Sequence, residues 1–200
     1  LAQRVAGGDS ADEIAVRQLI EEAKSYDPMF PAGTDAGGRP IAKDAAKALA
    51  VYNKAVLRDP KNGVAQLALG HAQSRAAATL ASTDPTRANN VLKDAVEHLL
   101  NATKIDGRNP FTWTELGRCH GRLGDHVLAR DAFQIAIDID NNYVAALFGM
   151  AVAQLNLGDL PAARAAALKA QQGGDTRAPD LLANIDQAIA SQKSKANPTK

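Results

Sequence analysis

The chain has 200 residues, 46% of them hydrophobic and 4% aromatic, with a formal net charge of +1. That is enough apolar material for one substantial core, and an alanine-rich, aromatic-poor composition suits close helix packing. The near-neutral charge and the lack of a long apolar run argue against a nucleic-acid electrostatic footprint and against a membrane span.

The sequence opens on Leu1 rather than Met, so a processed or excised chain is expected. The compartment stays open between cytoplasm and periplasm, with export expected if a signal peptide has been removed. From Ala11 to Ser25, Ile14, Leu19, Ile20 and Ala23 share one side and Glu13, Arg17, Glu21, Glu22 and Lys24 lie largely on the other, which predicts an amphipathic helix. Pro28, Pro31, Gly33, Gly37, Gly38 and Pro40 then break both helix and strand patterns, so 27–40 reads as a loop. Ala48, Tyr52 and Ala55, followed by Pro60, have the spacing of a second helix and its stop. Residues 1–62 are therefore read as an irregular N-terminal helical hairpin. In the alternative, Val16, Ile20, Ala23 and Pro28 make residues 11–25 the closing helix of a preceding repeat rather than the partner of 41–58.

Residues 63–108 form a longer pair. Leu69-Gly70 belongs to its first helix and Ala95, Leu99, Ala102 and Asp106 to its second, but Gly70 and Ala95 are 25 residues apart where the corresponding Gly117 and Ala129 are 12 apart. Both helices are expected to have lengthened, with the turn at Ser82 to Pro85, where Asp84-Pro85 is a helix-start signal.

The next two segments, 109–142 and 143–175, superimpose at an offset of 34 residues. Leu123-Gly124-Asp125 returns as Leu157-Gly158-Asp159, and Ala129-Arg130 returns as Ala163-Arg164. Trp113, Leu116 and Gly117 map to Leu147, Met150 and Ala151; Ala129, Phe133 and Ala136 map to Ala163, Ala167 and Ala170. Such a period marks helix pairs that bury their apolar faces only by stacking on neighbours. After Gly173-Gly174-Asp175, Leu181, Leu182, Ile185 and Ile189 share one face of a further helix whose other side is polar, as expected of a capping helix over 176–192. The lysine-rich end, 193–200, reads as a disordered tail.

Trp113, Leu116, Gly117, Ala129 and Phe133 carry a resemblance to the tetratricopeptide repeat (TPR), whose signature is W-x2-L-G-x2-Y followed by A-x3-F and Pro. His120 stands where Tyr is usual and Asn141 replaces the closing Pro. The resemblance implies an all-α fold, a right-handed α-solenoid of antiparallel helix pairs with a C-terminal capping helix. It also implies that the first helices line a concave groove for peptides or helices of partner proteins. By position in the repeat, the partner-binding groove residues are Leu67, His71 and Arg75, then Phe111, Thr114, Arg118 and Arg122, then Phe148, Val152 and Asn156. Arg75, Arg118 and Arg122 would form a basic stripe beside an apolar patch of Leu67, Phe148 and Val152, which favours a partner with acidic and apolar anchors. Chaperone-binding members use a clamp of Lys and Asn on their first helices. Leu67, His71, Thr114, Ala145 and Gly149 lie near those places, so the clamp is absent.

The function that follows is a noncatalytic scaffold or adaptor, with bacterial envelope, secretion or pilus assembly as the expected setting. The other class is a regulatory or substrate-presenting domain of a larger enzyme or maturation factor. Self-association is a third expectation, because open solenoid ends accept a neighbour. No enzyme is expected: His71, His98, His120 and His126 lack paired metal-ligand spacing, and no phosphate-cradling glycine loop or nucleophile elbow is present. Cys119, the one cysteine, reads as a buried inert thiol. Neither cofactor nor metal is called for, and neither a nucleic-acid partner nor a membrane span.

Overall fold

The computed structural model describes residues 10–31, 34 and 42–196. The chain divides into two units, Leu1–Asp106 and Gly107–Lys200. Among the described residues the regular structure is helical throughout. The first unit holds α1 (Ala11–Tyr26), α2 (Ala45–Arg58), α3 (Gly63–Leu80) and α4 (Pro85–Ile105); the second holds α5 (Pro110–Leu123), α6 (His126–Ile139), α7 (Val144–Asn156), α8 (Leu160–Gln172) and α9 (Ala178–Ala196).

In the first unit α1 starts at a capping box. The Glu13 amide donates to Ser10 Oγ at 3.1 Å, and the Ser10 amide to Glu13 Oε2 at 2.6 Å, which satisfies two donors the helix itself leaves open. Val16, Ile20 and Ala23, spaced along one face, pack into a core with Ala48, Val51, Tyr52 and Ala55 of α2 and Ala65, Leu69 and Ala72 of α3. Thus α1 does pack on α2. The connection between them is tied down where it is described. Lys43 Nζ donates to the carbonyls of Ser25 and Pro31 at 3.0 and 2.8 Å, and the Asp44 amide to the Tyr26 carbonyl at 2.8 Å. Most of the Pro/Gly-rich stretch expected at 27–40 lies outside the described residues.

The α3/α4 hairpin is the long one, with 18 and 21 residues against 14 and 14 for α5 and α6. Asp84 caps α4 through the Arg87 amide at 2.9 Å, and Pro85 occupies the first turn, where its missing N–H is harmless. Gly70 lets the two helices approach, since a β-carbon there would lie 2.8 Å from Leu99 and 3.1 Å from the Ala95 carbonyl.

The second unit stacks α5/α6 on α7/α8 and closes with α9. Its core joins Ala129, Phe133 and Ala136 of α6 to Met150, Ala163 and Ala167, and to Leu182 and Ile185 of α9. The 34-residue offset is structural as well. Gly124 and Gly158 both sit at positive φ, 87° and 82°, and the Asp125 and Asp159 amides close the same helix-ending hydrogen bond, to the His120 and Gln154 carbonyls. Helix α9 covers the apolar side of α8 and runs on to Ala196, four residues past the expected end of the capping helix at 192, because nothing in its sequence breaks a helix before Pro198. Residues 197–200 lie outside the described residues.

Candidate functional site

The second unit contains a half-open pocket of about 270 Å³ between α5 and α7. Its floor is Phe133, reached from α6 through a gap left by two glycines. A β-carbon at Gly117 would come within 2.8 Å of the ring and one at Gly149 within 2.4 Å, so glycine is what lets α5 and α7 close on the aromatic from both sides. Ala129, Ala145, Phe148, Val152 and Ala153 complete the apolar lining, and Arg118, Arg122, His126, Asn156 and Arg177 stand around it.

No carboxylate lines this pocket, although two lie immediately behind it. Arg118 Nη1 is 2.9 Å from Glu115 Oε1, and the Glu115 side chain is 3% exposed. Arg177 donates to Asp175 through Nε at 3.0 Å and Nη2 at 2.6 Å, the two-pronged geometry a guanidinium makes best. That hydrogen bonding from Arg177, with two backbone amides and its charge, holds the Asp175 carboxyl below the usual range despite partial burial. The Arg177 guanidinium also lies 3.9 Å from the centroid of the Phe148 ring, a cation–π contact that fixes both side chains. Asn156 Nδ2 donates to the Val152 carbonyl at 2.9 Å.

The structure thus brings together Arg118, Arg122, Phe148, Val152 and Asn156 of the sequence-derived groove set. Thr114 is placed differently. It is 1% exposed, with Oγ1 donating to the Pro110 carbonyl at 2.8 Å, so it faces the helix interior and not the pocket. Phe111, half-buried in the first turn of α5, is outside the pocket lining. Leu67, His71 and Arg75 belong to α3 of the first unit. Leu67 and His71 are half-buried there, and the Arg75 guanidinium, expected in a basic stripe, is committed to the buried carboxylate of Asp27. The first unit has its own hollow of about 230 Å³ beside α1. Its lining mixes Glu13, Glu21, Arg17 and Lys24 with Val16, Ile20 and Val64, and carries no ring and no dominant sign of charge.

Among the described residues, no three His, Cys, Asp or Glu side chains converge as a metal site would require, and no helix is long and apolar enough to cross a membrane. Cys119 is buried on α5.

Comparison with solved structures gives the architecture a name. The crystal structure of MamA superimposes with a TM-score of 0.63 at 21% identity, over 74% of this chain and 80% of that one. YrrB, described as a TPR protein with an unusual peptide-binding site, gives 0.63 at 17% identity, over 90% and 84%. The first TPR domain of human RPAP3 gives 0.53 at 17%, over 62% and 95%. This chain has the TPR fold. No protein-family model and no curated protein sequence matches it. In TPR terms, α5 and α7 are the first helices of successive repeats, α6 and α8 their second helices, and Phe133 is the aromatic of the second-helix signature. Arg177 belongs to neither repeat: it comes from the turn that leads into the capping helix, where the 34-residue offset sets it in register with Tyr143 and Asn109, the residues just before α7 and α5.

Proposed function

We propose that this protein is a noncatalytic interaction scaffold or adaptor, and that the cleft between α5 and α7 receives an extended segment of a partner protein. The observation that carries the reading is the pocket itself, an apolar floor on Phe133 opened by Gly117 and Gly149 and surrounded by Arg118, Arg122 and Arg177. Its volume is at the low end for small-molecule sites, which suits one or two partner side chains better than a cofactor. The walls are helices held by a packed core, so the partner meets little ordering cost on the protein side. TPR-fold neighbours give general support: one structure shows the first TPR of Spaghetti (RPAP3) bound to the HSP90 peptide SRMEEVD, and YrrB is described as having a peptide-binding site.

The test is affinity capture from soluble and envelope fractions of the native organism with wild type beside Val152→Arg, which fills the cleft without touching its arginines. A partner retained by wild type and lost by the variant supports the reading and identifies the setting, including the proposed bacterial envelope, secretion or pilus-assembly one. Equal retention by both would remove the cleft from the account.

A further inference from the structure

We propose that the α5–α6 turn is a pH-sensitive switch in which the Asp125 carboxylate has two positions, capping α6 while the His120 ring is neutral and bonding Nδ1 of that ring once it is protonated. The inference goes beyond the cleft reading and does not depend on it.

The two repeats of the second unit supply the comparison. At the 34-residue offset His120 and Asp125 correspond to Gln154 and Asp159. Asp159 accepts the Ala162 amide at 3.1 Å and so caps α8, whereas Asp125 makes no side-chain bond to the start of α6. The backbone is not the reason. φ and ψ are −80° and 63° at Asp125 and −82° and 74° at Asp159, so side-chain rotation alone would cap α6, with the Leu128 amide as donor. Asp125 instead places Oδ2 3.9 Å from His120 Nδ1, a buried nitrogen with no hydrogen-bond partner. At that distance a neutral ring gains little. A ring that has taken a proton from solvent carries an N–H on both nitrogens, and a carboxylate shift of about 1 Å then makes a charge-assisted bond. The same movement takes a negative charge away from the N-terminus of α6, where it is favourable. Gln154 takes up no proton, so the second repeat keeps its cap.

The surrounding charges leave Asp125 as the group that answers His120. Helix α7, packed against α5, has no titratable side chain. On α6, Arg130 and Asp131 pair with each other, Asp138 accepts from Gln134, and His126 lines the cleft. On α5 itself, Arg118 pairs with Glu115, and Arg122 lines the cleft. Burial sets the His120 imidazole below its ordinary 6.5, with Asp125 opposing in part, so the switch works in mildly acid solution. Its effect reaches the cleft edge through His126, the first residue of α6.

The experiment is an NMR titration of the full isotope-labelled chain from about pH 8 to about pH 5, across the histidine range. It follows the His120 ring, the Asp125 carboxyl carbon and the Leu128 amide. The expected result is that all three move with one midpoint, below the ordinary histidine value, while the Ala162 amide of the second repeat stays still. Hydrogen exchange at the Leu128 amide, corrected for intrinsic rate, should quicken roughly fivefold through the same midpoint, the size of one lost cap. His120→Gln, which copies Gln154, should hold the Leu128 amide at its neutral-pH position throughout. A His120 ring that titrates while the Leu128 amide and the Asp125 carboxyl stay fixed would overturn the inference, and wild type alone decides this, whatever a variant does to folding. A Leu128 titration that persists in His120→Gln would assign the movement to the adjacent His126 and overturn it as well. Neither result bears on partner capture by the cleft, which Val152→Arg tests separately.

Discussion

Arg75 and Asp27, 48 residues apart in sequence, meet through one guanidinium nitrogen that bonds both carboxylate oxygens, Nη2 lying 2.6 Å from Oδ1 and 2.5 Å from Oδ2. Asp27 is 1% exposed, and Tyr52, also buried, donates its hydroxyl to Oδ2 at 3.2 Å. The Met29 amide completes the set at 2.9 Å from Oδ1. One acid at the end of α1 therefore ties together α1, α2 and α3, and the first unit depends on its having all these partners.

Removing one member should hurt more than removing both. Arg75→Ala leaves a buried carboxylate without its cation and is expected to lower stability by about 3 kcal/mol, the low end for a broken buried pair because the guanidinium is partly exposed. The double variant Asp27→Asn/Arg75→Met should regain a good part of that loss. Urea denaturation followed by circular dichroism checks it; a double variant no better than Arg75→Ala would show that the pair is not what holds the three helices.

Acid should act in two stages. Burial pushes the His98 and His120 imidazoles below their ordinary value of 6.5, with nearby acids opposing only in part. A depressed histidine pKa means that the unfolded chain takes up the proton first. Stability from these two groups is thus whole above pH 6.5 and declines as pH falls below it toward their folded values. The Asp27 carboxyl is also held down: burial would raise it, but Arg75, the Met29 amide and Tyr52 together outweigh burial. Its contribution persists to about pH 3.8, the unfolded value, and is lost below. Melting temperature measured against pH should show a first decline beginning near 6.5, reduced in His98→Gln, and a second below about 4, reduced in Asp27→Asn.

Glycines in the second unit divide by what surrounds them. Gly149→Ala should destabilise by about 1–3 kcal/mol through overpacking, because its β-carbon meets the Phe133 ring at 2.4 Å. Combining it with Phe133→Leu should cost less than the two separate losses added together, and a double-mutant cycle measures that coupling. Gly121→Ala, whose nearest neighbour would be Ala129 Cβ at 3.8 Å, should be neutral or stabilising by up to about 1 kcal/mol, since alanine is the better helix former.

At the helix ends the reason is the backbone itself. Gly124→Ala and Gly158→Ala should each cost about 1–2 kcal/mol, because each φ lies in the left-handed region although there is open space for a β-carbon. Thermal melts of the single and double variants should show near-additive losses, as the turns belong to different hairpins.

The repeated Leu-Gly-Asp triplet made α5 to α8 readable, because a helix-ending glycine followed by a capping position is dictated locally and recurs at a fixed period. With the repeat register in hand, the TPR resemblance, which implies a groove along the first helices, put Arg118, Arg122, Phe148, Val152 and Asn156 on one face. Spacing does not report partners brought from afar. It set Arg75 beside the groove residues, but Asp27 folds back on α3 and takes its guanidinium. Nor does it report a side chain's local satisfaction: Thr114 occupies a groove register yet turns its hydroxyl to the Pro110 carbonyl one turn back. Arg177 escaped because its counterparts at the 34-residue offset, Tyr143 and Asn109, are not basic, and nothing in the spacing marks the position as facing the cleft. Arg118 has a second role as well. It neutralises buried Glu115, so reversing its charge would disturb stability along with binding, and a cleft test is better made at Val152 or Arg122.

The central claim is that the second unit's cleft is where a partner sits. Hydrogen–deuterium exchange on the full chain, with and without a peptide selected for binding, tests it most directly. Protection concentrated in Arg118 to Arg122 of α5 and Ala145 to Asn156 of α7, absent when Val152→Arg replaces wild type, is the predicted result. Protection confined to α1 and α3, with α5 and α7 unchanged, would contradict it.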